Sequence, residues 1–296
     1  MRVEEVCERL WPGLDCRVER LGGGLTNHNF KVTVGEEAFV VRVGGQDTHL
    51  LGIDRADEHG AALVAASIGV GPEVVGYVDR SLVTRFVDGA PVPADEISLP
   101  ATIGRIARLL RAIHDGAAVP GRFDSFRVVE GYLATVLERG GLAPDRYEDA
   151  RVVADEIERA LGPRPARPCH NDLLNANFIA DGDRLWIVDW EYAGMGDPFF
   201  DLANFAVNNG LGDDGDRTLL EAYGRADEEA FAHLTLMRFM SDFREAMWGA
   251  VQEAVSTLDE DFGAYSRVHF GRLDATARGS RFRAALDYVT QAQPSQ

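Results

Sequence analysis

Length, composition and charge limit the classes of protein that this chain of 296 residues can represent. Its 46% hydrophobic and 26% charged residues are typical of a globular protein, and its length suits two lobes better than one core. The formal net charge of -18 argues against a nucleic-acid-binding surface or an anionic membrane surface and suits a cationic ligand. An acidic composition also serves solubility, so the charge alone identifies no ligand.

No apolar run approaches the roughly 18 residues of a membrane-spanning helix, and the first residues lack the basic start and apolar core of a signal peptide. We therefore expect no membrane insertion and a cytoplasmic location. The cysteines are Cys7, Cys16 and Cys169, and none has the C-x-x-C spacing of a metal or redox site. This pattern predicts reduced, structural thiols.

The N-terminal part of the chain predicts a five-stranded antiparallel sheet with one main helix, which indicates an α+β fold. After a short helix over residues 3–10, the predicted strands cover residues 16–21, 28–34, 37–43, 74–78 and 82–86. The second and third strands flank a Gly35-Glu36 turn, as in a β-hairpin. The main helix is predicted between the third and fourth strands, over residues 54–67.

A glycine-rich loop connects the first two predicted strands and contains Gly23, Gly24, Thr26 and Asn27. Glycines allow backbone N–H groups to approach phosphate oxygens closely, and Thr26 and Asn27 add side-chain donors. Strand, glycine loop and strand in this order indicate a lid over a nucleotide. Taken by itself, the glycine run is equally typical of a flexible turn.

The third strand carries one basic residue, Arg42, in an otherwise apolar run. A buried charge requires a partner, and Glu58 on the following helix is the candidate. Kinases place a basic residue at this point to contact nucleotide phosphates. The alternative is an Arg that extends to solvent from an edge strand.

Arg85 and Phe86 lie in a predicted hinge whose backbone groups can bind an adenine edge, and a segment rich in proline and glycine follows over residues 88–93. We therefore predict an N-terminal lobe over residues 1–87 and a helical lobe over residues 88–296. Helical periodicity marks residues 97–115 and a long helix over residues 231–258, which we expect to be interrupted. We interpret His114 as a packing or capping residue.

The stretch from Cys169 to Glu191 carries the strongest functional signal. It opens with His170-Asn171-Asp172, reaches Asn177 five residues after Asp172, and ends an apolar strand at Asp189. In phosphoryl transfer, one carboxylate accepts the proton of the attacking hydroxyl, while an Asn and a second Asp bind Mg²⁺. Asp172, Asn177 and Asp189 fit these roles in that order. The alternative is a surface turn followed by a hairpin, which uses the same residue types.

Four stretches of the chain together resemble the choline/ethanolamine kinase family, within the aminoglycoside-phosphotransferase-like small-molecule kinases. They read L-G-G-G-L-T-N, V-V-R-V, C-H-N-D-L-L-N-A-N and I-V-D-W-E-Y-A-G. The resemblance covers most of the chain and includes Arg42 where other kinases use Lys. It implies a bilobal protein-kinase-like fold, ATP as donor, Mg²⁺ as cofactor and a small amino alcohol as acceptor. It further implies that Asp201 holds the catalytic loop by accepting backbone hydrogen bonds near His170.

The acceptor pocket is expected within the last hundred residues. Trp248 and Tyr265 lie where this family supplies aromatic rings, which attract a cationic head group by cation–π interaction. Both residues fit the hydrophobic core equally well, and Glu191 is a candidate contact of the acceptor or of a second metal ion. The chain departs from the family at Val251, where a second tryptophan is common, and at Asn208-Asn209, where an acidic residue is common.

These observations predict an ATP-dependent kinase that phosphorylates a primary hydroxyl of an amino alcohol, with choline or ethanolamine as the first candidates. Thiamine, homoserine or an aminoglycoside remain open as acceptors, and so does a homodimer. A long activation segment with A-P-E is absent from the sequence after Asp189, which argues against a protein kinase. A catalytically idle nucleotide-binding regulator would not require three intact catalytic residues. A metal phosphoesterase built on His170 and Asp172 would leave Arg42 without a role.

Overall fold

The computed structural model describes residues 2–22, 27–45 and 48–292. Three of the predicted phosphate contacts, Gly23, Gly24 and Thr26, lie outside the described residues.

The N-terminal part forms the predicted five-stranded sheet, in which all neighbouring strands are antiparallel. Its strands are β1 (Cys16–Arg20), β2 (Asn27–Val34), β3 (Glu37–Gly44), β4 (Val74–Val78) and β5 (Ser81–Arg85). They are arranged in the order β1-β2-β3-β5-β4. Each strand begins and ends within one residue of the predicted bounds, because turn residues such as Gly35-Glu36 define the strand ends clearly.

The two faces of β3 have different environments because successive side chains of a strand point to opposite sides. Phe39 and Val41 are buried in a small core with helix α1 (Val3–Leu10), which contributes Val3 and Val6. Val40 and Arg42 therefore face the other side of the sheet, where a deep cleft lies. The alternating direction of side chains along β3 therefore places Arg42 in the cleft.

Helix α2 (Arg55–Ser67) follows a 3₁₀ turn over Thr48–Leu51 and confirms the predicted main helix of this part. Asp54 caps its N-terminus, since a carboxylate oxygen of Asp54 accepts a hydrogen bond of 2.7 Å from the N–H of Ala56. This cap fixes the start of the helix and places Glu58 in its first turn, where the side chain is buried.

The chain leaves the sheet after Arg85 and enters the C-terminal part by a short strand. Strands of this part are β6 (Ala90–Pro91), β7 (Arg167–Cys169), β8 (Phe178–Asp181), β9 (Arg184–Ile187) and β10 (Gly194–Gly196). β6 pairs with the β8–β9 hairpin, and β7 pairs with β10. We propose that the division between the lobes falls between residues 87 and 88, inside this connection.

The C-terminal part is mostly helical. Its helices are α3 (Pro100–His114), α4 (Ser125–Glu138), α5 (Tyr147–Leu161), α6 (Pro198–Asn208), α7 (Asp213–Tyr223), α8 (Glu228–Val255), α9 (Phe262–Arg278) and α10 (Ser280–Ala292). Helix α8 packs against α4, α6 and α9, and its buried residues lie on all sides. A helix that is buried all round forms the centre of a helical lobe.

The predicted interruption of the long helix is wrong, because α8 continues without a break for 28 residues. Its glycine, Gly249, lies where α9 crosses closely: a Cβ at this position would come 3.0 Å from the backbone nitrogen of Ser266. Packing against α9 therefore maintains the helix where glycine propensity alone would weaken it. Within the described ranges, no helix has both the length and the apolar character needed to cross a membrane.

Candidate active site

The predicted catalytic loop begins at His170, directly after β7, and helix α6 binds its backbone through side chains. Asp201 accepts hydrogen bonds from the backbone N–H groups of His170 at 2.8 Å and Asn171 at 2.6 Å. Asn204, one turn later, accepts a third from Leu173 at 2.6 Å. The contact expected for Asp201 is therefore present, and Asn204 extends it. Two side chains of one helix thus fix the loop backbone beside Asp172.

His170 ties the same loop to the strand that leads into Asp189. Its Nε2 donates to the carbonyl oxygen of Val188 at 2.9 Å, and its Nδ1 accepts from the N–H of Asp172 at 3.2 Å. This arrangement requires the neutral ring, and burial lowers the pKa of His170 accordingly.

His114, predicted to pack or cap, is buried and contacts Asp201 at 3.0 Å through Nε2.

Asn177 and Asp189 face the cleft together and offer oxygen ligands. The side-chain nitrogen of Asn177 donates to the carbonyl oxygen of Asp172 at 2.8 Å, which leaves its Oδ1 for another contact. Asp189 has a φ angle of 68°, an uncommon value for a residue other than glycine, and such strain is frequent at functional sites. Amide and carboxylate oxygens are the ligands that Mg²⁺ prefers, so this pair fits the predicted ion.

Arg42 lies between two carboxylates at the same end of the cleft. Its Nη1 contacts Glu58 at 2.9 Å and also pairs with Asp189. Burial by itself would lower the pKa of Arg42, but Asp189 and Glu58 raise it. The alternative of an Arg on an edge strand is wrong, because β3 lies between β2 and β5.

Glu191 belongs to a buried polar cluster that joins the two parts of the chain. Asn27, at the start of β2, donates to Glu191 at 2.7 Å, and Arg55 contacts Glu191 at 3.3 Å. Arg55 also donates to Asn27 at 2.6 Å and contacts Glu58 at 2.6 Å. The side chain of Asn27 is thus engaged with Glu191 and Arg55. Burial in this cluster raises the pKa of Glu191. Arg55 was not predicted as a site residue from the sequence.

The cleft between the sheet and the catalytic loop has a volume of about 490 Å³. Val40, Leu82 and Ile179 form apolar walls, whereas Arg42, Asn177 and Asp189 form a polar end. Binding sites for small molecules combine these two properties.

The predicted hinge residues Arg85 and Phe86 also line the cleft. The N–H of Phe86 donates to Ala38 at 2.9 Å and that of Arg85 to Glu73 at 2.8 Å, so neither can donate to a base. The side chain of Arg85 contacts Glu37 and Glu73 instead.

The carboxylate of Asp172 lies against a buried ion pair that sequence analysis missed. Arg244 Nη1 is 3.3 Å from Asp172 Oδ1 and 2.6 Å from Glu245 Oε1. The exposed fraction is 8% for Asp172 and 1% for Arg244. Burial raises the pKa of Asp172 to about 7, and the Arg244 charge opposes this rise. The sequence feature that could have indicated this ion pair is the position of Arg244 and Glu245 between the apolar residues Phe243 and Ala246 of α8.

Both predicted aromatic residues of the acceptor pocket lie beside this ion pair. The indole N–H of Trp248 donates to the hydroxyl of Tyr192 at 3.1 Å, and the Trp248 ring meets that of Tyr265 edge to face at 5.6 Å. Tyr265 in turn donates to Glu245 Oε2 at 2.8 Å. Tyr192 was not predicted as a site residue, although it ends the D-W-E-Y motif.

Val251 and Asn209, at the two departures from the family pattern, have their contacts outside this cluster. Val251 is fully buried in the hydrophobic core. Asn209 donates to the backbone carbonyl groups of Phe205 at 2.8 Å and Leu173 at 3.3 Å, below the catalytic loop.

Comparison with known proteins agrees with this geometry. Residues 17–240 match the model of the phosphotransferase enzyme family (APH). The crystal structure of a choline/ethanolamine kinase family protein from Mesorhizobium loti is similar to this chain, with 31% sequence identity and a TM-score of 0.83. The alignment covers 99% of this chain and 100% of that one.

Two further relatives match most of this chain at lower sequence identity. Protein LicA of Haemophilus influenzae is 26% identical over 86% of this chain and 77% of that protein. Ethanolamine kinase 1 of Mus musculus is 26% identical over 88% of this chain and 84% of that protein. The chain therefore belongs to the phosphotransferase enzyme family and, within it, to the choline/ethanolamine kinases, which transfer a phosphoryl group to an alcohol.

Proposed function

We propose that this protein phosphorylates the primary hydroxyl of a small cationic amino alcohol, choline or ethanolamine, with ATP as donor and Mg²⁺ as cofactor. The observation that carries the proposal is the position of Asp172. It belongs to the same loop as Asn177 and lies beside the ion pair that contacts Tyr192 and Tyr265. A kinase for a small cation requires this combination of a base, metal ligands and aromatic rings.

At the nucleotide end, Arg42 contacts phosphate oxygens, and Glu58 holds its guanidinium in place. Asn177 and Asp189 would hold the metal ion through their side-chain oxygen atoms. Mg²⁺, when bound, neutralises charge on the transferred phosphoryl group. Asp189 also pairs with Arg42, so that the carboxylate is kept at the cleft by a neighbouring cation. Because ATP is supplied inside the cell, we propose a cytoplasmic location.

At the acceptor end, Asp172 would orient the hydroxyl group and accept its proton as the new oxygen–phosphorus bond forms and the bond from the γ-phosphorus to ADP breaks. Loop anchoring by Asp201 and Asn204 fixes the backbone on both sides of Asp172 relative to the metal ligands. The rings of Trp248, Tyr192 and Tyr265 then surround the cationic head group, with Glu245 adding a negative charge behind them.

One assay tests the proposal. The protein is incubated with ATP and Mg²⁺ and a panel of choline, ethanolamine, thiamine, homoserine and aminoglycosides, and ADP release is measured. Acceptor-dependent ADP release with choline or ethanolamine, at a higher kcat/KM than with the other compounds, is the expected result. Preference for an aminoglycoside, thiamine or homoserine would contradict the proposed acceptor. No acceptor-dependent release from the whole panel would favour a nucleotide-binding regulator.

A further inference from the structure

We propose that Arg244 is a positioning residue for Asp172 and that the Arg244–Glu245 pair couples the base to the aromatic acceptor pocket. This inference rests on the proposed function, because it assigns Arg244 a part in the same reaction. Neither the sequence motifs nor the catalytic loop itself includes this residue, which lies 72 positions after Asp172.

The loop contacts fix the backbone of Asp172 but not its side chain. Asp201 and Asn204 accept hydrogen bonds from backbone N–H groups, and His170 contacts the N–H of Asp172. Within the three described ranges, the hydrogen-bond partner of the Asp172 carboxylate is Arg244, at 3.3 Å. A carboxylate rotates about two side-chain bonds, so a fixed backbone leaves its direction open. Arg244 therefore determines where the carboxylate points.

Arg244 is itself held from two sides. Glu245 Oε1 accepts from its Nη1 at 2.6 Å, and the guanidinium carbon lies 4.3 Å from the centre of the Tyr192 ring. A guanidinium that is 1% exposed would be costly without such partners. Its position is therefore restricted, as an orienting group requires.

The same contacts lead into the aromatic pocket. Glu245 accepts from the hydroxyl of Tyr265 at 2.8 Å, and Tyr192 accepts from Trp248 at 3.1 Å. An acceptor that moves these rings therefore also moves the group that orients Asp172. We infer that the pocket and the base respond to the acceptor as one unit.

The two Arg244 contacts differ in strength. Charge-assisted hydrogen bonds usually measure about 2.7–2.9 Å. The contact with Glu245 is shorter than this range, whereas the contact with Asp172 is longer. Arg244 is thus anchored on Glu245 and meets Asp172 from this fixed position, through Oδ1. Asp172 keeps its second oxygen for the acceptor hydroxyl.

The test compares Arg244→Gln with the wild type for kcat, for both KM values and for melting temperature. Removing the orienting charge should lower kcat by about 10- to 100-fold, the usual loss when a reacting group is misplaced by about 1 Å. The KM for ATP should change by less than about threefold, because Arg244 does not line the nucleotide cleft. Arg244→Lys keeps the charge on a shorter donor group and should recover part of kcat.

A double mutant separates positioning from a merely structural role. If Arg244 acts through Asp172, adding Arg244→Gln to Asp172→Asn should leave kcat within about threefold of Asp172→Asn alone, since residues that act as a unit are not additive. Multiplication of the two losses would overturn the proposal. Should Arg244→Gln fail to fold, the same comparison is made with Arg244→Lys.

Arg238→Gln is the matched control. Arg238 is on the same helix and contacts the buried Asp216 at 2.9 Å, away from the catalytic loop. It should lower the melting temperature and leave kcat unchanged. If Arg244→Gln behaves in the same way, Arg244 serves packing alone and the proposal is wrong.

Two further outcomes distinguish failure of the positioning role from failure of the proposed function. A rise in acceptor KM with unchanged kcat would show that Arg244 binds the acceptor directly, which also overturns positioning. Absence of acceptor-dependent ADP release in the wild type would instead contradict the proposed function, before any variant is compared.

Discussion

The catalytic loop and the proposed acceptor pocket lie side by side but are built in different ways. Loop residues 170–173 are held through their backbone, by Asp201 and Asn204 on one helix. The pocket is held through side chains that come from α8, from α9 and from the segment after Asp189. A backbone-held loop keeps its shape when its side chains change, whereas a side-chain network changes with each substitution.

This difference corresponds to the chemistry of each region. Enzymes with a protein-kinase-like catalytic loop place a base and metal ligands at a characteristic spacing, so the spacing from Asp172 through Asn177 to Asp189 indicates the reaction. Acceptors differ in size and charge, so the pocket has no common spacing. The spacing in the loop therefore indicates the class of reaction, whereas the acceptor has to be inferred from the side chains of the proposed pocket.

The strongest test of the loop is removal of its base. Asp172→Asn should lower kcat by roughly 10² to 10⁴, the usual contribution of a general base, while ATP affinity stays nearly constant. Steady-state kinetics and ATP titration measure the two effects. Asp183→Asn, in the exposed turn of the β8–β9 hairpin, is the control and should have wild-type kcat. Near-wild-type turnover of Asp172→Asn would exclude Asp172 as the base.

A second test concerns the metal ligands. Asp189→Ala should abolish the Mg²⁺-dependent gain in ATP affinity, because Asn177 then remains as the one predicted protein ligand. Calorimetric titrations of ATP with and without Mg²⁺ measure this gain. Asp189 also pairs with Arg42, so metal-free ATP binding by the variant reports that contact separately. An unchanged Mg²⁺-dependent gain would contradict the metal assignment.

The third prediction follows from the burial of the base. Burial raises the pKa of Asp172 to about 7. Below that pH the carboxyl group is protonated and cannot accept a proton, so kcat/KM should rise with pH and level off above about 7. At two pH units below the midpoint the loss should be about 100-fold. Choline is a suitable acceptor for this profile because it has no group that titrates there. An acid limb centred near 4 would show that Asp172 has an ordinary pKa in the working enzyme.

The sequence predicted those contacts that depend on local spacing. Asp54 begins α2 by capping it, which places Glu58 one turn later, and the alternation of β3 directs Arg42 toward Glu58. The bounds of the sheet strands follow from turn residues in the same way. Each of these inferences needs only the periodicity of one element or the order of two.

Contacts between distant side chains could not be predicted. Arg244 and Asp172 are 72 positions apart, and Arg55 and Glu191 are 136 apart. Their proximity depends on how α8 and α2 pack against the loop, which local periodicity does not determine. The apolar residues of α8 are buried in the core, and Arg244 and Glu245 lie within the same buried region. Charged residues in a helix that is buried all round indicate a partner without identifying it.

The smallest expected effect tests the pocket. Trp248→Leu keeps apolar volume but removes the negative face of the ring, so the KM for choline or ethanolamine should rise. The expected loss is roughly 0.5 to 2 kcal/mol, or about 2- to 30-fold, because Tyr192 and Tyr265 remain. The KM for ATP should change little, and Trp248→Phe should lose less than Trp248→Leu. Steady-state kinetics with both substrates measure these changes.

Trp186→Leu is the matched control, because Trp186 lies on β9 and stacks on Arg184 at 3.6 Å, outside the pocket. It should leave the acceptor KM unchanged. The Trp248 hydrogen bond to Tyr192 is also lost in Trp248→Leu, so Tyr192→Phe, which removes that bond and keeps both rings, separates the two contributions. A lower melting temperature with unchanged acceptor KM would assign Trp248 to the core. An equal rise in KM for cationic acceptors and neutral alcohols would show that Trp248 shapes the pocket without recognising charge.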